Sequence, residues 1–244
     1  MKRMVDFIAA LIGLLATSPL LLTVALLIWL YDRKSPLYIA PRSGLGGATF
    51  RMVKFRSMIV NADKLGGSST AGTDRRITPI GHFVRAYKLD ELVQLWNVLK
   101  GDMSLVGPRP QVPDAVALYT DEERRLLSVR PGVTDLASIV FSDEGEILKR
   151  SEDPDLLYNQ TIRPWKSRLA LLYIKNRTFW LDLKLISITL IGMFSRPFAL
   201  RSVERILAGW NTDGIVRRMT SRKEPLLPFP PPGASDVAGA SGPH

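Results

Sequence analysis

Two adjacent carboxylates, Asp90 and Glu91, are the residues whose types and spacing best suit catalysis in this sequence. Neighbouring residues on a helix point about 100° apart around its axis, so the two side chains can take different roles. One carboxylate can attack a substrate or accept a proton while the other binds a divalent cation. Such a dipeptide is more commonly a solvated acidic pair, so the surrounding charges decide between the two interpretations.

Basic residues that suit phosphate binding occur on both sides of this pair. Arg109 stands between two prolines, and each proline fixes its own φ angle and restrains the residue before it. A guanidinium held in an extended segment is pre-ordered for a phosphate. The other candidate phosphate-binding residues are Lys54, Arg56, Arg85 and Arg130. An enzyme that acts on a diphosphate requires carboxylates ringed by cations in this way.

Hydrophobic patterning predicts the elements that position these residues. Apolar residues from Leu89 to Leu99 recur at helical spacing and predict a helix over residues 77–100. Two strands are predicted at 36–40 and 49–55, separated by a glycine-rich turn. The run Lys54-Phe55-Arg56 then presents both cations on one side of a strand, with Phe55 facing inwards.

Other segments leave more than one interpretation open. The polar, glycine-rich residues 61–76 are typical of a mobile loop or of a substrate lid. Helices are predicted at 121–129 and 164–176. The mostly apolar residues 179–194 predict either a core helix or a helix lying on a bilayer interface. His82 is assigned no role.

The N-terminal segment predicts membrane association. Phe7 to Tyr31 are 25 consecutive residues without a formal charge, and a helix of that length reaches about 37 Å, against about 30 Å of bilayer hydrocarbon. Ser18 and Pro19 interrupt the middle of the run, and proline kinks or breaks a helix. Because Lys and Arg flank both ends, the positive-inside rule favours the cytoplasm for both. From pattern alone, spanning and re-entrant helices are about equally favoured.

Composition excludes several kinds of site. The 244 residues include no cysteine and two histidines, His82 and His244. This excludes disulfide scaffolds, cysteine nucleophiles, thiolate zinc sites, iron–sulfur clusters and multi-histidine metal sites. The net charge of +10 favours a phosphate-rich partner, which is a nucleic acid, an anionic membrane surface or a phosphorylated substrate.

The run from Lys88 to Pro110 resembles the core of the bacterial sugar transferases, the monotopic phosphoglycosyl transferases that start the assembly of surface and secreted glycans. The resemblance covers about residues 1–200. Its further motifs are Lys2-Arg3, Asp6, Ser18-Pro19, Lys54-Phe55-Arg56, Arg130-Pro131-Gly132, Tyr173-Ile174-Lys175-Asn176 and Leu181-Asp182-Leu183-Lys184.

This resemblance implies an α/β fold that is mostly α. Residues 1–34 would form a re-entrant membrane helix broken at Ser18 and Pro19. Residues 35–200 would form a compact catalytic domain with interfacial amphipathic helices, on the cytoplasmic face of the bacterial inner membrane. Composition marks residues 201–224 as a basic C-terminal extension suited to lipid headgroups, and residues 225–244 as a Pro/Gly-rich tail without a core of its own.

The resemblance also implies a reaction. A sugar 1-phosphate would pass from a UDP-sugar to a polyprenyl phosphate such as undecaprenyl phosphate, with release of UMP. Asp90 would form a covalent phosphosugar–aspartyl intermediate, and Mg²⁺ would bind at Glu91 and Asp90. Arg85, Arg109 and Arg130 match family positions suited to phosphate binding.

Partners and alternatives follow from the same comparison of residues with the family pattern. Membrane lipids are expected partners, and the interfacial helices suit contact with a second copy in a homodimer as well as they suit a bilayer, whereas no recognised nucleic-acid-binding module occurs. Residues 135–144 depart from the Gly-Trp-Ala-Gln pattern of many members, and Leu169–Leu172 lack an acid that many members carry nearby. The identity of the sugar is therefore open. The alternative function is a non-catalytic, membrane-anchored scaffold of a glycan assembly complex.

Overall fold

A computed structural model describes residues 2–65, 70–149 and 151–238, which form a mostly helical α/β structure. The α-helices are α1 (Lys2–Asp32), α2 (Pro79–Ala86), α3 (Leu89–Leu92), α4 (Leu95–Lys100), α5 (Pro113–Ala117), α6 (Leu136–Val140), α7 (Glu144–Leu148), α8 (Pro154–Leu157), α9 (Arg163–Asn176), α10 (Phe179–Gly192), α11 (Arg196–Gly209) and α12 (Gly214–Ser221). The strands are β1 (Leu37–Ser43), β2 (Thr49–Phe55), β3 (Ser104–Val106) and β4 (Gly132–Thr134). The prediction of a mostly helical α/β fold with a long apolar helix at the N-terminus is confirmed.

The strands form two small sheets. Strands β1 and β2, which correspond to the two predicted strands, pair antiparallel with Leu37 opposite Phe55, and β1 extends three residues beyond its predicted end. Gly46 and Gly47 in the connecting turn have φ angles of 66° and 81°, a conformation that glycine adopts without a steric penalty. Strands β3 and β4 pair in parallel. The run Gly66–Ser69 of the predicted loop or lid lies outside the described residues.

The prediction of a single helix over residues 77–100 is wrong. The segment forms α2, α3 and α4, because Lys88 adopts a left-handed conformation with a φ angle of 53° and ends the first helix. The apolar residues consequently face different neighbours: Leu89 packs against Phe55 and α1, while Trp96 is 52% exposed. The acidic pair thus lies on its own single-turn helix, α3.

Helix α1 continues through the proline in its middle. Pro19 has no N–H to donate to the carbonyl of Leu15, and the Ser18 hydroxyl donates to that carbonyl instead, at 2.8 Å. The expected break at Ser18 and Pro19 is not present, because a single helix runs from Lys2 to Asp32. Among the described helices, α1 is the one long and apolar enough to cross a membrane.

Both ends of α1 bind the globular part of the molecule. Near the N-terminus, the buried Asp6 accepts hydrogen bonds from the Ser104 hydroxyl at 2.9 Å and the Leu105 amide at 3.2 Å. At the C-terminal end, the Asp32 carboxylate forms two hydrogen bonds of 2.6 Å with the guanidinium of the buried Arg56. In the middle of α1, Leu15 is 65% exposed. The helix is thus held at its two ends by the same body.

The C-terminal segments pack against the rest of the described structure. Val203 and Leu207 of α11 are fully buried and belong to the largest apolar cluster, so the predicted basic extension contributes to the core. In the predicted tail, Phe229 stacks on Trp165 with ring centroids 4.5 Å apart, and its amide donates to the Gln160 carbonyl at 2.9 Å. Residues 226–238 therefore lie partly against α9 instead of extending as a separate tail.

The backbones at Gly107 and Gly132 approach each other more closely than any side chain would allow. The amide of Gly132 donates to the Pro108 carbonyl at 2.9 Å, and the amide of Gly107 donates to the Thr134 carbonyl at 3.0 Å. A Cβ atom on Gly132 would lie 2.0 Å from the Gly107 nitrogen. This contact anchors the segments that carry Arg109 and Arg130, each of which lies next to a proline. It also explains why residues 107 and 132 are glycines, because a side chain would not fit between the two backbones.

We expect Gly132→Ala to lower the free energy of unfolding by about 2 kcal/mol or more, because its Cβ would force the two backbones apart. For a chain of this length, the midpoint of thermal unfolding should fall by about 4–8 °C. The matched control is Gly209→Ala at the end of α11, where an added Cβ meets no atom within 4 Å. Equal midpoints for the two variants would contradict the role given to the glycine contact.

Candidate active site

The acidic pair faces the proline-flanked arginine. Arg109 Nη1 donates to Glu91 Oε1 at 3.0 Å, and both side chains are partly buried. Within the described part of the chain, the carboxylate of Asp90 accepts no hydrogen bond from another group. The arrangement leaves Asp90 free to react and gives Glu91 a fixed partner.

A buried asparagine brings the β1–β2 hairpin to the acidic pair. Asn97 of α4 accepts a hydrogen bond from the Val53 amide at 2.9 Å and donates to the Arg51 carbonyl at 2.8 Å. These bonds hold β2 next to α4, and Lys54 follows Val53 directly. Burial, together with the charge of Arg109, lowers the pKa of Lys54 to about 8. The Lys54 ammonium therefore changes its charge close to physiological pH.

The pKa values of the two carboxylates shift in opposite directions. Burial and the neighbouring Glu91 charge raise the pKa of Asp90, against the charges of Lys54, Arg109 and Arg85. Burial alone would also raise the pKa of Glu91, but Arg109, Lys88 and Lys54 outweigh it and hold that pKa below its ordinary value. Paired carboxylates with diverging pKa values are typical of a division of roles in catalysis.

A second ion pair is close enough to Arg109 to be affected by its charge. Glu144 of α7 forms an ion pair with Lys166 of α9, and the Lys166 ammonium lies 5.4 Å from the centre of the Tyr158 ring. Although burial opposes it, Lys166 holds the pKa of Glu144 below its ordinary value, and Arg109 adds to this effect. The charge of Arg109 therefore lowers the pKa of both Glu91 and Glu144.

A solvent-open cavity of about 50 Å³ lies between Arg109 and α9. We call it the Asp135 cavity; its walls include Arg109, Asp135, Ser138, Lys166, Tyr119 and Tyr158. Asp135 is 1% exposed and caps α6, since its Oδ1 accepts from the Ser138 amide at 2.7 Å. Its Oδ2 accepts no hydrogen bond from the described residues.

Not all of the predicted phosphate-binding residues converge. Lys54 and Arg109 lie at the acidic pair, and Arg85 in the last turn of α2 is close enough to lower the pKa of Asp90. Arg56 is instead paired with Asp32 of α1. Arg130 is exposed and donates to the Gly101 carbonyl at 3.0 Å. The strand ends at Phe55, so Arg56 does not share a strand face with Lys54.

Several residues of the site were missed by sequence reasoning. Asp135 followed by Ser138 is a local signature of a helix N-cap, which could have placed it at the start of a helix. Glu144 and Lys166 are 22 positions apart, and no local pattern connects them. The hydrogen bonds between Asn97 of α4 and strand β2 cannot be inferred from a pattern in the sequence either.

The described residues contain no group of three acidic or histidine side chains that could hold a metal ion on their own. Mg²⁺ typically needs only one or two protein carboxylates, because water and substrate phosphates complete its octahedron. Asp90 and Glu91 fit such a site, since the oxygens of Asp90 are not hydrogen-bonded to other described residues.

Comparison with known proteins matches the chain to one family and to several similar proteins. The family described as "Bacterial sugar transferase" matches residues 1–196. The chain is 38% identical over 200 residues to an undecaprenyl-phosphate glucose phosphotransferase of Komagataeibacter xylinus, covering 78% of this chain and 35% of the relative. It is 35% identical over 188 residues to a UDP-N-acetylgalactosamine-undecaprenyl-phosphate N-acetylgalactosaminephosphotransferase of Aeromonas hydrophila, covering 76% and 41% respectively.

A third relative is covered more fully. The chain is 35% identical over 190 residues to a UDP-glucose:undecaprenyl-phosphate glucose-1-phosphate transferase of Caulobacter vibrioides, covering 76% of this chain and 66% of the relative. The chain thus spans between about one third and two thirds of the length of these three relatives.

Proposed function

This chain belongs to the bacterial sugar transferase family, and on that premise we propose that it transfers a sugar 1-phosphate from a UDP-sugar to a polyprenyl phosphate and releases UMP. The observation that carries the proposal is the arrangement around Asp90. The Asp90 carboxylate accepts no hydrogen bond from the described residues and lies beside a second carboxylate that Arg109 holds ionised, with Lys54 and Arg85 near by. Such a cluster suits a diphosphate whose negative charge must be offset before a carboxylate can approach it.

In the first step, an Asp90 carboxylate oxygen attacks the β-phosphorus of the UDP-sugar. A bond forms between that oxygen and phosphorus, and the bond from phosphorus to the bridging oxygen breaks. UMP leaves with the electron pair of the broken bond. The raised pKa of Asp90 makes its anion more basic than an ordinary aspartate, which favours attack once the carboxylate is ionised.

In the second step, an oxygen of the polyprenyl phosphate attacks the same phosphorus. The bond to Asp90 breaks and the carboxylate is regenerated, so the complete transfer consumes no oxidant and no net proton. Arg109 and Lys54 bind the phosphate oxygens in both steps, and Glu91 orients Arg109 through their 3.0 Å hydrogen bond.

We also propose that Asp90 and Glu91 hold Mg²⁺ together with the substrate diphosphate. The ion would supply positive charge at the oxygens where negative charge develops. The protein contributes the two carboxylates, while Arg109 and Lys54 offset charge on the remaining phosphate oxygens.

The anchoring of α1 supports a re-entrant, cytoplasmic-facing topology. Asp6 at one end and Asp32 at the other both bind the same globular body. A straight spanning helix would put one of these ends across the bilayer from that body. The exposed apolar residues between them, including Leu15 and Leu22, are then the part that enters the hydrocarbon.

Further surfaces suit the membrane interface. Trp180 of α10 is 76% exposed and Phe194 beyond its end is 91% exposed. Aromatic side chains of this kind are favoured at the boundary between headgroups and hydrocarbon. The exposed Arg201 and Arg205 of α11 are available for anionic headgroups. This placement would hold the acidic pair at the depth where a polyprenyl phosphate presents its phosphate.

We expect Asp90→Asn to reduce UMP release by at least about 10³-fold, because the amide lacks the nucleophilic oxygen anion. The assay uses purified protein in nanodiscs with undecaprenyl phosphate, Mg²⁺ and UDP-glucose or UDP-N-acetylgalactosamine. The matched control, Asp121→Asn, changes a fully solvated aspartate and should retain activity. Release of UDP instead of UMP would exclude the mechanism, and unchanged binding of partner proteins without any turnover would favour the scaffold.

The activity should fall at alkaline pH as Lys54 loses its proton. Since the pKa of Lys54 is about 8, the ammonium is charged below pH 8 and neutral above it. We expect kcat/KM for the UDP-sugar to decline with an apparent pKa near 8. Lys54→Arg keeps the charge and should move this decline upwards by at least one pH unit, whereas the exposed control Lys64→Arg should not. A Lys54→Arg profile that overlays the wild type would contradict the assignment.

The absence of cysteine permits a direct test of topology. Single cysteines introduced by Met4→Cys and Lys34→Cys, both at exposed positions, should react with a membrane-impermeant maleimide in inverted membrane vesicles and not in right-side-out vesicles. Leu22→Cys, at a 70% exposed apolar position, should be protected in both. Labelling of Met4→Cys and Lys34→Cys from opposite sides would establish a spanning helix.

A further inference from the structure

The Asp135 cavity contains an acceptor that the protein itself does not use. The carboxylate of Asp135 is almost completely buried, and its Oδ2 accepts no hydrogen bond from the described residues, while its Oδ1 caps α6. Folded proteins rarely retain a buried acceptor without a partner, because such a group loses its hydrogen bonds to water on folding. Helix capping requires only the first oxygen, and a serine or an asparagine would cap as well. The second oxygen is therefore an unused acceptor on a residue that lines the cavity.

The chemistry of the cavity suits a hydroxyl-rich ligand. Asp135 accepts hydrogen bonds, while the Lys166 ammonium can donate them. Tyr119 and Tyr158 supply aromatic walls, against which the C–H face of a pyranose ring can pack. The volume of about 50 Å³ accommodates a few water molecules. It therefore suits one edge of a sugar ring with its hydroxyl groups better than a complete nucleobase.

The position of the cavity also indicates which part of a UDP-sugar would enter it. Arg109 is part of its wall and at the same time binds Glu91 at 3.0 Å, so the cavity adjoins the proposed phosphate site. In a UDP-sugar, a single oxygen joins the sugar to the β-phosphorus, whereas a second phosphate and a ribose separate the uracil from it. With the β-phosphate at Asp90 and Arg109, the sugar is the part of the donor that reaches this cavity.

We propose that Asp135 is a specificity-determining residue that accepts a hydrogen bond from a hydroxyl group of the donor sugar through its Oδ2. This inference rests on the proposed function and assigns a substrate subsite within it. A site built to bind a hydroxyl discriminates strongly against ligands that lack one at that point, because its buried polar group is then left unpaired.

The test compares two variants that keep the helix cap. Asp135→Asn retains an oxygen for the Ser138 amide and replaces the free acceptor with a donor, and Asp135→Ser caps through its hydroxyl. Asp153→Asn is the matched control, because Asp153 caps α8 in the same way, through a 2.9 Å bond from the Leu156 amide, and does not line the cavity. Thermal unfolding of each variant verifies that it is folded.

Dissociation constants are measured in nanodiscs for UDP-glucose, UDP-N-acetylgalactosamine and UDP. We expect both Asp135 variants to bind the wild type's preferred sugar nucleotide about tenfold more weakly, because one hydrogen bond to the sugar is lost. Binding of UDP, which carries no sugar, should stay within about twofold. The Asp153→Asn control should match the wild type for all three ligands.

Three results would overturn the inference in distinguishable ways. An equal loss of affinity for UDP and the sugar nucleotide would assign Asp135 to the nucleotide. Unchanged affinity for every ligand in a folded variant would reduce Asp135 to a helix cap. If the wild-type protein binds UDP, and binds neither sugar nucleotide more tightly than UDP, a sugar subsite would be excluded. A separate outcome, in which the wild-type protein binds none of the three ligands, would contradict the proposed function itself.

Discussion

The close approach of the backbones at Gly107 and Gly132 is the constraint on which the charge arrangement depends. Because no side chain separates the two segments, their amides and carbonyls bond directly and hold Arg109 beside α3. Arg109 in turn keeps Glu91 ionised in a partly buried position, while burial beside Glu91 raises the pKa of Asp90. The pKa values of the two adjacent carboxylates thereby differ, because Arg109 forms an ion pair with only one of them.

Helix α1 is connected to the same groups. Helix α4 packs against α1 through the apolar cluster that contains Ala10 and Val98, and its Asn97 holds the hairpin that carries Lys54. Helix α3, which carries the acidic pair, also packs against α1 through Leu89. Asp6 and Asp32 bind the globular part at the two ends of α1. The active-site groups are therefore held in place relative to α1 by several contacts.

How much of the fold could be predicted depended on the range of the interactions. The β1–β2 hairpin was correctly predicted, because alternation and turn residues are local signals. The helix over 77–100 was wrong, because the period of the apolar residues does not reveal the left-handed Lys88 that redirects the chain. Composition did not show that α11 contributes to the core, since its exposed basic residues are interspersed with the buried Val203 and Leu207.

The sequence alone determined the chemistry: the acidic pair, the proline-flanked Arg109, the apolar N-terminal segment and the resemblance that connects them. These features consist of residue types and short spacings, which can be recognised without a structure. Only the tertiary structure decided that Arg56 binds Asp32 instead of lying beside Lys54, and that Asp135 presents a free oxygen next to Arg109. The physical reason is that burial, partners and pKa shifts arise from groups far apart in the chain, whose approach is set by packing of the whole molecule.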